Sequence, residues 1–172
     1  MNRRLEKTAA FFKKDGWLLL SFGCNDARPS PREDRATDAR TTFTEYMGII
    51  TDSAEKAGMK IVVISPMPSF EMVNGKFSHP LLAPYAKASE KFAAEKGFYF
   101  IDLYTLLTKY FEKMPESEIK THYMFIKRGE HPNWPQGRYD NLHLTKKGAA
   151  VVWKLIRQEI DRNIPELAKL FK

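Results

Sequence analysis

Two short segments of this chain carry side chains that could do chemistry together. In the first, Asp140-Asn141-Leu142-His143, a carboxylate precedes a histidine by three residues. In a tight turn Asp140 can accept a hydrogen bond from one ring nitrogen of His143, so that the other nitrogen is left to take a proton from an alcohol. The spacing therefore predicts an oriented general base, although a histidine near a helix start is more often a surface residue or a cap.

The second segment is Gly23-Cys24-Asn25-Asp26, which directly follows the apolar run at 17–22. Asn25 would then lie at the carboxyl end of a strand, the edge where open α/β sheets bind ligands. Its amide can donate to the negative oxygen that forms when an ester carbonyl becomes tetrahedral. An ordinary turn also explains this segment, but the two motifs in this order predict a site at the mouth of the sheet, with His143 on the same side as Asn25.

The elements that must position these residues alternate between helices and short apolar strands. This alternation predicts an α/β class with a parallel sheet. We expect strands near 17–22, 61–65 and 98–103. Thr42-x-x-Glu45 predicts a capping box that opens a helix, and Gly58 is placed to end it.

Further helices are predicted from apolar spacing between Leu82 and Gly97, and from Thr145 onward. Pro165 would restart a short terminal helix, and Asn74-Gly75 within 70–77 predicts a hairpin-like excursion. Two long stretches, 27–40 and 123–139, are predicted to be irregular, and both flank the candidate chemistry.

Composition excludes several classes of protein. The 172 residues predict one domain, and no apolar run is long enough to cross a membrane. The net charge of +7 favours acidic partners, but no basic helix or RNA-binding aromatic motif supports nucleic acid. Cys24 is the single cysteine, which excludes an intramolecular disulfide, and the other histidines are too scattered to predict a metal site: His79, His122 and His131.

Four segments together resemble the rhamnogalacturonan acetylesterase branch of the SGNH (GDSL-type) hydrolases, over most of the chain. They are residues 21–29, 64–69, 100–103 and 133–143. The resemblance implies a flavodoxin-like three-layer α/β/α parallel sheet. It also implies a Ser-His-Asp triad that removes acetyl groups from pectin-type polysaccharide, with no metal or organic cofactor. His143 would be the general base, Asp140 its orienter, and Asn25 with Gly23 the oxyanion-hole element.

The chain departs from that family in having no Gly-Asp-Ser block, which supplies the nucleophilic serine. None of Ser21, Ser65 and Ser69 has a nucleophile motif around it. We therefore expect a single SGNH hydrolase-like domain over 1–172, truncated at its N-terminus and lacking the first strands of its sheet. The strand at 17–22 would then be an uncovered edge open to edge-to-edge self-association. Family members are often secreted, but residues 1–7 are followed by no signal-peptide apolar region, and the compartment stays open.

Three residues are candidates for contact with a sugar substrate. Arg28, in the arginine-rich stretch after Asn25, suits the carboxylates of an acidic sugar, although interleaved acidic residues also allow a self-neutralised solvated loop. Trp134 and Tyr139 would either stack on sugar rings or anchor their loop. Two functions follow: a carbohydrate acetylesterase without its serine, or an inactive module that still binds the polysaccharide.

Overall fold

The computed structural model describes residues 7–27 and 36–171, which fall into two compact units. The first unit contains the described residues up to Pro66 together with Leu81–Asp102, and the second contains Met67–Pro80 and the described residues from Leu103 onward. Arg28 and much of the predicted irregular stretch at 27–40 lie outside the described residues.

The first unit is built on a three-stranded parallel sheet in the order β1-β2-β5. Its elements are β1 (Trp17–Leu20), α1 (Thr42–Lys56), β2 (Lys60–Ile64), α2 (Ala83–Lys96) and β5 (Tyr99–Ile101). Because successive strands add to the same edge, right-handed crossovers place α1 and α2 on the same face of the sheet. Both helices pack on β2 and on each other. The predicted α/β class and the positions of all three strands are confirmed.

Alternation along β2 explains where the core of this unit lies. Ile61 and Val63 join the apolar cluster beneath α1 and α2, where the side chains of Phe43, Met47 and Phe92 are buried. Val62 and Ile64 point to the opposite face and are buried as well. Such a strand, apolar on both faces, is typical of the centre of a parallel sheet. Within the described part of the chain, β1 pairs with β2 alone, as an edge strand would; self-association through it stays a prediction.

The predicted C-terminal ends of α1 and α2 are confirmed, but the predicted N-terminal cap of α1 is not. Gly58 and Gly97 adopt the left-handed backbone that ends α1 and α2, with φ of 77° and 69°. The predicted capping box is wrong. The helix is preceded by Thr41, no side chain caps it, and the hydroxyl of Thr42 instead accepts the backbone N–H of Asp38 at 2.9 Å. The upstream turn therefore satisfies this hydroxyl before it can cap the helix.

The described residues of the second unit form two antiparallel hairpins and four α-helices. Its elements are β3 (Met72–Val73), β4 (Lys76–Phe77), α3 (Leu103–Phe111), α4 (Glu116–Lys120), β6 (Tyr123–Ile126), β7 (Arg138–Leu144), α5 (Lys146–Asn163) and α6 (Pro165–Ala168). Asn74 and Gly75 form the two-residue turn between β3 and β4, both with positive φ, as Asn-Gly predicts. Thr145 caps α5 by accepting the N–H of Gly148 at 3.2 Å, and α6 restarts at Pro165, so both terminal helices are confirmed.

One prediction about this unit is wrong. The stretch at 123–139 is not irregular, because it begins with β6, ends in β7, and pairs the two strands antiparallel. Residues 127–137 form the loop of a hairpin, and the residues on either side of this loop form its two paired strands. The sequence pattern does not predict the helices α3 and α4, since both are short.

None of the helices in the described residues combines the length and apolar character that a bilayer span requires.

Candidate active site

The segment that carries Asp140 and His143 is a bulge inside β7. Tyr123 pairs with Leu144, but Met124 pairs with Asp140, so three residues of β7 have no partner on β6. The Asp140 carboxylate closes the bulge. Its Oδ1 accepts the backbone N–H of Leu142 at 3.0 Å and that of His143 at 2.9 Å. The tight turn between Asp140 and His143 that the spacing requires therefore lies within β7, as a bulge.

The second oxygen of Asp140 faces side chains rather than backbone. The Nδ1 of His143 lies 2.7 Å from Oδ2, which is the hydrogen bond that the spacing predicts. Arg138 donates to the same oxygen from Nε at 3.0 Å and from Nη2. An ionised carboxylate only accepts, so Nδ1 carries the hydrogen and Nε2 keeps its lone pair. No described residue hydrogen-bonds that Nε2, and 64% of the His143 side chain is exposed.

The electrostatics of the pair favour an ionised Asp140. Burial raises the pKa of this carboxyl, whose side chain is only 12% exposed. The hydrogen bonds that it accepts from the backbone of His143, from Arg138, from the backbone of Leu142 and from the His143 ring act in the opposite direction and hold its pKa well below the usual range. Asp140 therefore stays an anion that accepts from His143 at any pH at which the protein works.

Two contacts fix the bulge within its unit. Phe70 donates its N–H to the carbonyl of Asn141 at 2.6 Å, and the Asn141 amide donates back to the carbonyl of Phe70 at 3.2 Å. The hydroxyl of Tyr123 donates to the carbonyl of Pro68 at 2.8 Å. The segment before β3 therefore acts as a backbone support for the loop that carries the pair.

Sequence reasoning missed Arg138. Arg138 lies two residues before Asp140 in β7. In a strand, residues i and i+2 point to the same face, so this spacing is the signal that could have placed Arg138 beside Asp140. Trp134 packs against this guanidinium, with its ring centroid 4.2 Å from the Arg138 Cζ. Tyr139 points the other way, is 82% exposed, and meets the ring of Phe125 edge to face at 4.6 Å.

In the first unit, the segment after β1 forms a turn closed by Asp26. Its carboxylate accepts the N–H of Gly23 at 3.1 Å and the Thr37 hydroxyl at 3.0 Å. Gly23 has φ +113°, and a Cβ there would lie 3.0 Å from the Pro66 ring, so any other residue would be strained at this position. Asn25 is exposed at the strand end, with its side chain available for a ligand, while the N–H of Gly23 is already donated.

The structure also places the buried serines. Ser65 donates to Asp102 at 3.0 Å at the carboxyl ends of β2 and β5. Ser69 lies 2.8 Å from the Nδ1 of His79, and Glu71 approaches the same nitrogen at 3.1 Å. In residues 7–27 and 36–171, no three potential ligands from His, Cys, Asp and Glu gather as a metal site would need.

Comparison with known proteins assigns the chain to a family. Residues 1–151 match the model of the GDSL-like Lipase/Acylhydrolase family. The chain belongs to that family.

Among its relatives is the rhamnogalacturonan acetylesterase RhgT of Bacillus subtilis (strain 168), which is 30% identical over 159 residues. A second, the probable rhamnogalacturonan acetylesterase YesY of the same organism, is 29% identical over 157 residues. The alignments cover 92% and 91% of this chain but 66% and 67% of the relatives. The chain thus spans about two thirds of the length of the curated relatives.

Solved structures show the same fold. A crystal structure of the protein YXIM_BACsu from Bacillus subtilis matches 92% of this chain and 40% of that chain, with a TM-score of 0.71 at 24% identity. A lipase/acylhydrolase from Enterococcus faecalis matches 92% of this chain and 67% of that chain, with a TM-score of 0.60 at 21% identity.

Proposed function

We propose that this chain carries the general-base half of a carbohydrate acetylesterase that acts on rhamnogalacturonan-type pectin through a Ser-His-Asp triad. One observation carries the proposal: Nδ1 of His143 is held at 2.7 Å from Asp140, so that Nε2 faces outward with its lone pair. The names of two relatives supply the substrate class.

In the proposed reaction, Nε2 of His143 takes the proton of a serine hydroxyl as the oxygen attacks the acetyl carbonyl. Asp140 keeps the ring in the required tautomer and stabilises the imidazolium that forms. Asn25 donates its amide to the oxyanion. His143 then returns the proton to the leaving sugar oxygen, and water releases acetate from the serine in a second round.

The serine is the part that this chain does not provide, because it contains no Gly-Asp-Ser. We therefore propose that residues 1–172 alone hydrolyse esters negligibly and that a Gly-Asp-Ser segment must be supplied for turnover. The test is a fusion that adds the Gly-Asp-Ser segment of a rhamnogalacturonan acetylesterase before residue 1. Acetate release from acetylated rhamnogalacturonan is then measured for 1–172 and for the fusion.

The fusion is expected to release acetate, and His143→Ala within it to lose about 10⁴-fold or more in kcat, as triad members do. His131→Ala is the matched control, since His131 is an exposed loop histidine and should leave the rate unchanged. A folded fusion without activity would refute the proposal. Robust hydrolysis of p-nitrophenyl acetate by 1–172, abolished by His143→Ala, would mean that another residue is the nucleophile.

A second candidate function is binding of the polysaccharide without cleavage. The exposed ring of Tyr139, held edge to face by Phe125, favours it because such a ring offers a sugar a flat apolar surface. If the chain is a binding module, 1–172 should bind the polysaccharide by calorimetry, and Tyr139→Ala should weaken it by about tenfold. Tyr46→Ala is the matched control, an exposed tyrosine of the first unit. Equal losses in both variants would contradict a Tyr139 site.

A further inference from the structure

The two oxygens of the Asp140 carboxylate are fixed in different ways. Oδ1 is held by two backbone N–H groups of the bulge, from Leu142 and His143. Oδ2 receives no backbone donor in the described residues, and its only partners are Arg138 and the ring of His143. The side chain of Arg138 therefore determines the position of Oδ2, the oxygen that accepts the hydrogen bond from the His143 ring.

This asymmetry matters because the terminal torsion of an aspartate is soft. Rotation about χ2 moves both oxygens together, and the hydrogen bonds at Oδ1 tolerate a broad range of acceptor angles, so donors on Oδ1 alone still leave Oδ2 room for a limited swing. The His143 ring, largely exposed, has no other described hydrogen bond to a ring nitrogen, so it would follow that swing. The fork of Arg138, with two donors converging on Oδ2, removes this freedom.

Arg138 is itself held in place. Its guanidinium lies over the Trp134 ring at 4.2 Å, an arrangement that orders the planar group as well as attracting its charge. A turn brings the two residues together, because Gly137 donates its N–H to the carbonyl of Trp134 at 2.8 Å. Gly137 has φ of 81°, and a Cβ there would lie 2.7 Å from the carbonyl oxygen of Ile126, so only glycine fits the turn.

We propose that Arg138 is a positioning residue which, ordered by Trp134, fixes Oδ2 of Asp140 and thereby keeps His143 in the Nδ1–H tautomer. This inference rests on the proposed function, because only a catalytic base needs that tautomer. A loop residue thus reaches the base through two side chains, without touching the reacting atoms.

The charge of Arg138 and the geometry of its hydrogen bonds have opposite effects on the hydrogen bond between Asp140 and His143. A cation on Oδ2 draws charge from the carboxylate and makes it a weaker acceptor for Nδ1–H. If Arg138 acted through charge alone, its removal would strengthen the hydrogen bond to His143 and enrich the Nδ1–H form. If it acts by positioning, its removal depletes that form. The two roles therefore predict opposite signs.

The test is the tautomer of neutral His143 in chain 1–172, read from the ¹⁵N shifts of the ring above the pH at which it is protonated. Arg138→Gln is expected to shift Nε2 from a purely acceptor-type value toward the average of the two tautomers. Arg138→Lys loses the fork but keeps the charge that weakens the acceptor, so its shift should have the same direction and be at least as large. Arg128→Gln is the matched control, since this exposed arginine of the same loop makes no described side-chain contact and should change nothing.

Trp134→Leu keeps the experiment decisive if Arg138→Gln does not fold. It leaves Asp140 and Arg138 intact and should produce a partial shift of the same sign. Unchanged ¹⁵N shifts in the variants, or a more complete Nδ1–H form, would overturn the positioning role while leaving the proposed function standing. A native His143 in the Nε2–H form would instead remove the base itself, and the proposed function with it.

Discussion

His79 and His143 both meet a carboxylate through Nδ1, at 3.1 Å from Glu71 and 2.7 Å from Asp140, and both lie in the second unit. At His79 the serine Ser69 adds its hydroxyl at 2.8 Å, but to that same Nδ1. When Nδ1 carries the hydrogen that Glu71 accepts, it cannot also take the proton of Ser69. At His143 the carboxylate occupies Nδ1 alone, and the opposite nitrogen is left for a substrate or nucleophile.

Burial separates the two sites in the same direction. The His79 side chain is 16% exposed and that of His143 is 64% exposed, and Ser69 is buried. A serine, a histidine and a carboxylate within hydrogen-bonding distance therefore do not make a triad. A triad needs its two partners on opposite ring nitrogens and an open path to one of them.

Among the variants that compare the two histidine sites, Asp140→Asn should have the largest effect on the free energy of unfolding. Asp140→Asn removes the charge from an acceptor of five hydrogen bonds and leaves Arg138 without its anion, so we expect a loss of about 2–3 kcal/mol at pH 7. Glu71→Gln, at a carboxylate that is 40% exposed, should cost less than about 1 kcal/mol. Urea unfolding of both variants measures the difference.

The pH dependence of that loss has a definite sign. Because folding lowers the pKa of Asp140, its contribution is complete above the ordinary aspartate value of about 3.9 and declines as the pH falls below it. The native chain should therefore lose stability below about pH 4 more steeply than Asp140→Asn. Parallel stability curves for the two proteins would show that the Asp140 hydrogen bonds contribute little.

A smaller effect is expected from the histidines themselves, in reversed order. His79→Ala empties a largely buried position and removes the histidine partner of Ser69, which should cost about 1–2 kcal/mol. His143→Ala removes an exposed ring and leaves Asp140 with Arg138 and two backbone donors, so less than about 0.5 kcal/mol is expected. Thermal unfolding of the two variants decides the point, and a costlier His143→Ala would mean that the ring supports the bulge.

The smallest expected effect is none. A fluorophosphonate probe should label no serine of 1–172, since Ser69 is buried and shares the Nδ1 of His79 with Glu71. Mass spectrometry of the treated chain checks this, with the Gly-Asp-Ser fusion as the positive control. Labelling that disappears in Ser69→Ala would make His79 a working base and reverse the comparison.

The sequence predicts the first unit better than the second for a physical reason. The strands at 17–22, 61–65 and 98–103 are short apolar runs separated by helices of regular period. Gly58 and Gly97 end those helices by conformations that few other residues adopt. The β6–β7 hairpin has a long loop and a bulge, and β7 carries polar residues at successive positions, Asp140 and Asn141, so no alternation of apolar and polar residues marks it as a strand. For this reason the stretch at 123–139 reads as irregular.

The site shows the same division. The hydrogen bond between Asp140 and His143 follows from local spacing, because both residues lie within one bulge. The sequence predicts no role for Arg138. Its salt bridge with Asp140, two residues later, is expected only when the segment is known to be a strand, in which both side chains point to the same face. The contact of Trp134 with Arg138 depends on the turn at Gly137, which the sequence marks only as flexible.

The pair of hydrogen bonds between Asn141 and Phe70 has a consequence for how the protein folds. They join residues 71 positions apart, and closing a loop of that length costs conformational entropy before any contact offsets it. As the chain leaves the ribosome, Phe70 emerges long before its partner exists. We therefore expect the bulge that carries His143 to reach its final geometry late in folding.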